Sequence, residues 1–144
     1  MKSNIKLKIT LPKIPDIELV AVEGLERMGR YLGIDENIIG EAKLVVNEAI
    51  INGFEHSDSE DQHVNIEFSM TKEQLTILVI DQGKGFNPAD VEEPVLSHKI
   101  GGNNKRGWGI KLMKSLSDDL KIESGPTGTK ISIIKKLTGG KTNE

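Results

Sequence analysis

The chain has no cysteine, which excludes disulfides, thiolate metal sites and thiol nucleophiles together. Aromatic residues are scarce, with one Trp, one Tyr and three Phe, so a core must be built from Ile, Leu and Val. No apolar run approaches the roughly 18 residues that a membrane-crossing helix needs, and the N-terminus has no apolar signal core. These absences predict a cytoplasmic protein with no membrane partner. A positive excess is missing as well: the formal net charge is −3, so direct nucleic-acid binding is not expected. The 144 residues suffice for a single domain with one real core.

Residues 4–11 alternate, with Ile5, Leu7, Ile9 and Leu11 on one face and Asn4, Lys6, Lys8 and Thr10 on the other, the pattern of a half-buried strand. Pro12 and Pro15 end it, and Asp16 is positioned to cap a helix running to about Leu32, where Gly33 stops it. Asp35 is the expected cap of a second helix reaching about Glu55. Alternation returns at Val64, Ile66, Phe68 and Met70, and Thr71–Gln74 turns the chain into Leu75–Asp81 as a hairpin. Residues 83–105 have no regular period, and such a stretch inside a compact domain is expected to be a lid or binding loop, here about 87–105. A helix from Gly107 to about Leu116 and two strands, near Leu120–Ser124 and Thr129–Leu137, complete a single domain over 1–137. Residues 138–144 read as a frayed polar tail. This order predicts an α+β two-layer sandwich, with a mixed, mostly antiparallel sheet and its helices on one face.

Three short motifs gain meaning from their order. Glu48 and Asn52 stand four residues apart and stack on one helix face. Such a pair is commonly just a solvated face, but the surrounding stretch is mostly apolar and Asn is a poor interior helix former. A magnesium ion on triphosphate oxygens would give that Asn a reason, because Mg²⁺ takes hard oxygen ligands and keeps several waters. Glu48, one turn away, could accept a proton from an attacking hydroxyl. Asp81 ends an apolar strand, where a carboxylate is costly to bury unpaired. It could cap the turn made by Gly83 and Gly85, or accept a hydrogen bond from an amino group such as that of adenine, with the two glycines letting backbone approach a flat base. Gly107-Trp108-Gly109 opens a helix, where free N–H groups and the dipole attract phosphate.

Between Glu93 and Asp118 there is no acidic residue, while Lys99, Lys105, Arg106, Lys111 and Lys114 fall in that window. Lys111 and Lys114 suit an ordinary solvated helix face; Lys105 and Arg106, directly before the glycines, are the better phosphate ligands. His56, His63 and His98 show no metal-ligand spacing. Trp108, the only tryptophan, reads as a core or interface anchor or a lid contact.

With these motifs in place, the chain resembles the GHKL ATPase superfamily and its Bergerat ATP-binding fold, and within it the anti-sigma-factor serine kinases of bacteria. Glu48-Ala49-Ile50-Ile51-Asn52 matches the Glu-Ala-x-x-Asn box, Asp81-x-Gly83-x-Gly85 the adenine box, Arg106-Gly107-Trp108-Gly109-Ile110 the second glycine box, and Gly128-Thr129 the entry to the last strand. The resemblance implies Glu48 as general base, Asn52 on Mg²⁺, Asp81 on the exocyclic amine of adenine, Lys105, Arg106 and Gly107–Gly109 beside the phosphates, and Thr129 near the base. It implies ATP and Mg²⁺ as cofactors. Its expected partners are a sigma factor, a STAS-domain anti-anti-sigma protein that is phosphorylated on serine, and a second copy of the chain. Trp108 stands where Leu or Met is usual, and Gly53 follows Asn52 where Ala is common, at a cost of roughly 1 kcal/mol in a helix interior. A nucleotide-gated binding module with little catalysis is the competing expectation. A histidine-kinase catalytic domain is weaker because no dimerisation segment bearing a phosphoacceptor histidine precedes this domain. A clamp or chaperone ATPase would need a following transducer domain, where this chain ends.

Overall fold

The computed structural model describes residues 4–55, 63–81, 105–126 and 128–138. In chain order these form β1 (Ile5–Pro12), α1 (Glu18–Tyr31), α2 (Glu36–Glu55), β2 (His63–Met70), β3 (Gln74–Asp81), α3 (Lys105–Leu116), β4 (Asp119–Gly125) and β5 (Gly128–Lys136). The five strands make one sheet in the order β1-β2-β3-β5-β4.

Every described pairing is antiparallel, where a mixed, mostly antiparallel sheet was expected from the sequence. The cause lies in the connections. Two helices in series carry the chain from β1 back to β2, which reverses its direction. Among the described residues a single helix lies between β3 and β4 and leaves them running the same way, but β5 inserts between the two, so no parallel ladder forms there.

Register gives the sheet one apolar face. Val64, Ile66, Phe68 and Met70 of β2, Leu75, Ile77 and Val79 of β3, and Ile131 and Ile133 of β5 are all buried. Against them pack Ala21, Val22, Leu25 and Met28 of α1, Val45, Val46, Ala49 and Ile50 of α2, and Met113 of α3. The core is thus aliphatic, as the scarcity of aromatics requires. Glu26 ties α1 to α2: it accepts from Lys43 at 3.2 Å and pairs with Arg30 at 2.6 Å, and the Lys43 hydrogen bond holds its carboxyl below the usual range.

The helix ends follow local chemistry. Gly33 takes φ 75°, and the N–H groups of Gly33 and Ile34 close α1 on the carbonyls of Arg30 and Gly29. Asp35 Oδ1 accepts from the Asn37 N–H at 2.7 Å, the cap expected for α2. Asp16 does not cap α1 as expected. It adopts φ 64°, and Ile17 occupies the cap position without a side-chain hydrogen bond. Asp is among the few residue types that tolerate this left-handed conformation. At the β2–β3 hairpin, Thr71 Oγ1 accepts from the Glu73 and Gln74 N–H groups, fixing the turn.

Candidate functional site

Strand direction and helix direction bring five chain segments to one end of the two layers. These are the second half of α2, the end of β3, the start of β5, the end of β4 and the start of α3. Asp81 of β3 stands opposite Thr129 of β5, which stands opposite Ser124 of β4. All three lie in phase with the apolar face of the sheet, and they are its polar interruption at this end.

Asp81 is 2 % exposed and Thr129 is equally buried. The Ser124 and Thr129 hydroxyls lie 2.8 Å apart. Together with Gly125 and Gly128 these residues line an open cleft of about 820 Å³, within the size range of nucleotide and drug-sized pockets. Gly128, at φ 141°, makes the tight return from β4 that places Thr129 at the cleft edge.

On α2, Asn52 is buried, and its Oδ1 has no hydrogen-bond partner among the described residues. A buried acceptor left without a donor costs about 1–3 kcal/mol, so its retention calls for a ligand-facing role. Glu48, one turn earlier, is half-buried. Gly53 fits its surroundings better than its helix propensity suggests, because a Cβ there would lie 3.3 Å from Val79 Cγ1 and 3.6 Å from Val64 Cγ2. The glycine lets α2 approach β2 and β3 closely, which sets Asn52 beside the strand that ends in Asp81.

The third element meets the first at Gly109. A Cβ on Gly109 would fall 2.6 Å from Glu48 Oε1, so the absence of a side chain there makes room for the carboxylate. Helix α3 begins at Lys105, two residues earlier than the sequence reading placed it. By helix geometry its unengaged N–H groups, among the described residues, are therefore those of Lys105 to Gly107, and the Trp108 N–H closes the first turn. Gly109 falls in the next turn, against the Glu48 carboxylate. Trp108 is 38 % exposed, so it is not a core anchor. Gly83, Gly85 and the lid expected over about 87–105 lie outside the described residues, except that Lys105, at the lid's expected end, already belongs to α3; the side chains of Lys105 and Arg106 are likewise outside them.

Two partners went unnoticed in the sequence. Ser124 carries a hydroxyl against Thr129, and strand phase alone would have put it there. Lys135 is buried on the apolar face of β5, in phase with Ile131 and Ile133.

The arrangement can be tested for a magnesium-bound triphosphate. Among the described residues no three His, Asp or Glu side chains converge as a metal cage. A single uncharged oxygen from Asn52, orphaned and buried, suits an ion that keeps its remaining ligands as water and phosphate oxygens. The residues present fit the group.

An antiparallel sheet with its helices on one face, a carboxylate–carboxamide pair on the central helix and a glycine-opened helix beside them define a nucleotide-binding ATPase domain. The chain belongs to the histidine kinase-like ATPase domain family, whose match spans residues 16–135. Among its relatives, the serine-protein kinase RsbW of Bacillus subtilis is 25 % identical, over 96 % of this chain and 91 % of the relative. The anti-sigma F factor of Clostridium beijerinckii is 35 % identical, over 72 % of this chain and 73 % of the relative. In fold it is similar to the crystal structure of the RsbU and RsbW domains of a Mycobacterium tuberculosis protein, with a TM-score of 0.68 and 18 % identity. That likeness covers 92 % of this chain and 32 % of the larger one. No helix of the described residues is long and apolar enough to cross a membrane.

Proposed function

We propose that the protein is an ATP-dependent protein serine kinase and anti-sigma factor. It binds a sigma factor and phosphorylates a serine of a STAS-domain anti-anti-sigma partner. The observation that carries this reading is the meeting of Glu48 with Gly109, one helical turn from the orphaned oxygen of Asn52. The serine-protein kinase and anti-sigma factor names of its relatives support the same reading. Residues 1–137 then act as one ATP-binding domain, working in the cytoplasm as a homodimer.

Asp81 accepts a hydrogen bond from the exocyclic amine of adenine, with Thr129 beside it and Gly83 and Gly85 under the base. Asn52 holds Mg²⁺, which when bound neutralises charge on the phosphate oxygens. The first N–H groups of α3, with Lys105 and Arg106, stabilise charge on the γ-phosphoryl group. Glu48 takes the proton of the serine hydroxyl as that oxygen bonds to the γ-phosphorus. The bond from that phosphorus to the β-bridging oxygen breaks, and ADP leaves with the electron pair. Positioning and electrostatics supply most of the acceleration, as in phosphoryl transfer generally.

Incubating the protein with labelled ATP and a STAS-domain partner tests the whole reading. Label should move to a serine of the partner; stable complexes without transfer would overturn the kinase assignment.

Two substitutions separate the parts. Asp81→Asn replaces the acceptor oxygen facing the base with a mixed amide and should weaken ATP binding by about 10–100-fold, the worth of a hydrogen bond to a charged group. Calorimetry would read this, and unchanged affinity would count against the adenine role. Gly109→Ala crowds the Glu48 carboxylate, the far end of a flexible side chain that can swing away. Stability should hold or rise by about 0.5–1 kcal/mol, since Ala is the better helix former. Transfer should nevertheless fall about tenfold or more, because the base is displaced. A variant with unaltered turnover would show that the contact has no catalytic consequence.

A further inference from the structure

Lys135 is an odd occupant of its position. It is 5 % exposed, on a strand face shared with Thr129, Ile131, Ile133 and, beyond the strand, Leu137. Its Nζ donates to Glu41 Oε1 at 2.8 Å and to the Leu116 carbonyl at 2.7 Å. One ammonium therefore joins β5, the first half of α2 and the last residue of α3. Stability alone does not account for it, because a well-packed apolar side chain often serves as well as, or better than, a buried ion pair.

The geometry on the helices gives a reason. Helices α2 and α3 are in contact at two levels. At the site, Glu48 of α2 meets Gly109 of α3. At the other level, Glu41 of α2 and Leu116 of α3 are bridged by Lys135. The two levels are seven residues apart on each helix, 41 to 48 and 109 to 116, or roughly 10 Å of axial rise. The helices run in opposite directions, so sliding α3 along α2 would disturb both levels together. The ammonium also satisfies a terminal carbonyl and sits at the negative end of the α3 dipole, while that helix's positive end faces the site.

We propose that Lys135 is a positioning residue: by clamping the C-terminus of α3 to Glu41 it fixes the axial register of α3 on α2, and so sets where the glycine-opened end of α3 stands relative to Glu48. This rests on the kinase reading, and it adds a distant control point on the opposite end of the domain. Neither Lys135 nor Glu41 touches the nucleotide. Their loss acts through α3 alone, and binding of the base between Asp81 and Thr129 is spared.

The test is Lys135→Met, of similar length and apolar. At a temperature where circular dichroism shows the variant folded, phosphoryl transfer at saturating ATP should be about tenfold or more slower, since small misplacements near the reacting atoms are costly. The Kd for ADP should stay within about twofold, a split that general loss of structure would not produce. Lys135→Arg keeps both donors and should recover much of the rate. Should Lys135→Met fail to fold, Glu41→Leu, at a half-exposed position, removes one anchor and should slow transfer in the same sense. A second readout does not depend on transfer. Because the chain has no native cysteine, spin labels can be placed at Leu44→Cys on α2 and Lys114→Cys on α3, both at exposed positions. Lys135→Met should shift or broaden their separation. If the unmodified protein transfers no phosphate, the kinase reading falls and the label distance alone decides the register claim. Wild-type turnover together with an unchanged distance in a folded variant overturns the inference.

Discussion

Glu48→Gln is expected to bind ATP within a few-fold of wild type and to transfer phosphate about 10²–10⁴ times more slowly, the span over which a positioned general base acts. The amide is nearly isosteric with the carboxylate, so it keeps the space that Gly109 leaves open. What it loses is the capacity to accept the serine proton. Single-turnover transfer of label to the STAS partner reads the effect, beside a calorimetric titration showing that binding survives. Undiminished transfer would remove Glu48 from the chemistry. A parallel loss of ATP affinity would instead assign the carboxylate to binding.

Asn52→Ala should separate function from folding in the opposite way. Asn52 Oδ1 makes no hydrogen bond among the described residues, so its removal relieves a desolvated polar group that costs about 1–3 kcal/mol. The small void left by the shorter side chain offsets part of that gain. The unliganded variant is therefore expected to unfold within about 1 kcal/mol of wild type or later. Affinity for ATP in the presence of Mg²⁺ should fall by about 10–100-fold, while affinity without the ion changes little. Denaturant melts and paired titrations measure the two halves. A large loss of stability with binding intact would mean that Asn52 is a structural residue.

Much of this was legible in the sequence because period and register share one cause. The alternation in residues 4–11 and 64–70 and the apolar phase of Leu75, Ile77 and Val79 all recur as the covered face of the sheet. Asp81 continues that phase, so its burial could be read before any coordinates. The spacing of Glu48 and Asn52 likewise fixed their shared helix face. Lys135 was equally in phase, with Ile131 and Ile133, but a lysine beside Lys136 near the end of a strand reads as solvated until its partners are known. Those partners, Glu41 and the Leu116 carbonyl, lie 94 and 19 residues away. Nothing local announces them.

Other features were beyond a local reading. The insertion of β5 between β3 and β4 is a choice of which strand of a hairpin takes the inner place, and both strands carry apolar phase. Gly53 looked like a flaw in a helix until Val79 and Val64 were seen against it. The early start of α3 escaped notice because the glycines drew the boundary to themselves, although Asn104 directly before Lys105 is a residue type favoured at helix entry.

The account turns on one cavity that takes adenine at Asp81 and metal-bound phosphates at Asn52. Titrating the wild-type protein with ATP in a calorimeter, once with Mg²⁺ and once with a chelator, tests this most directly. One ATP per chain should bind, at least about tenfold more tightly when the ion is present. No saturable heat, or equal affinity under both conditions, would contradict it.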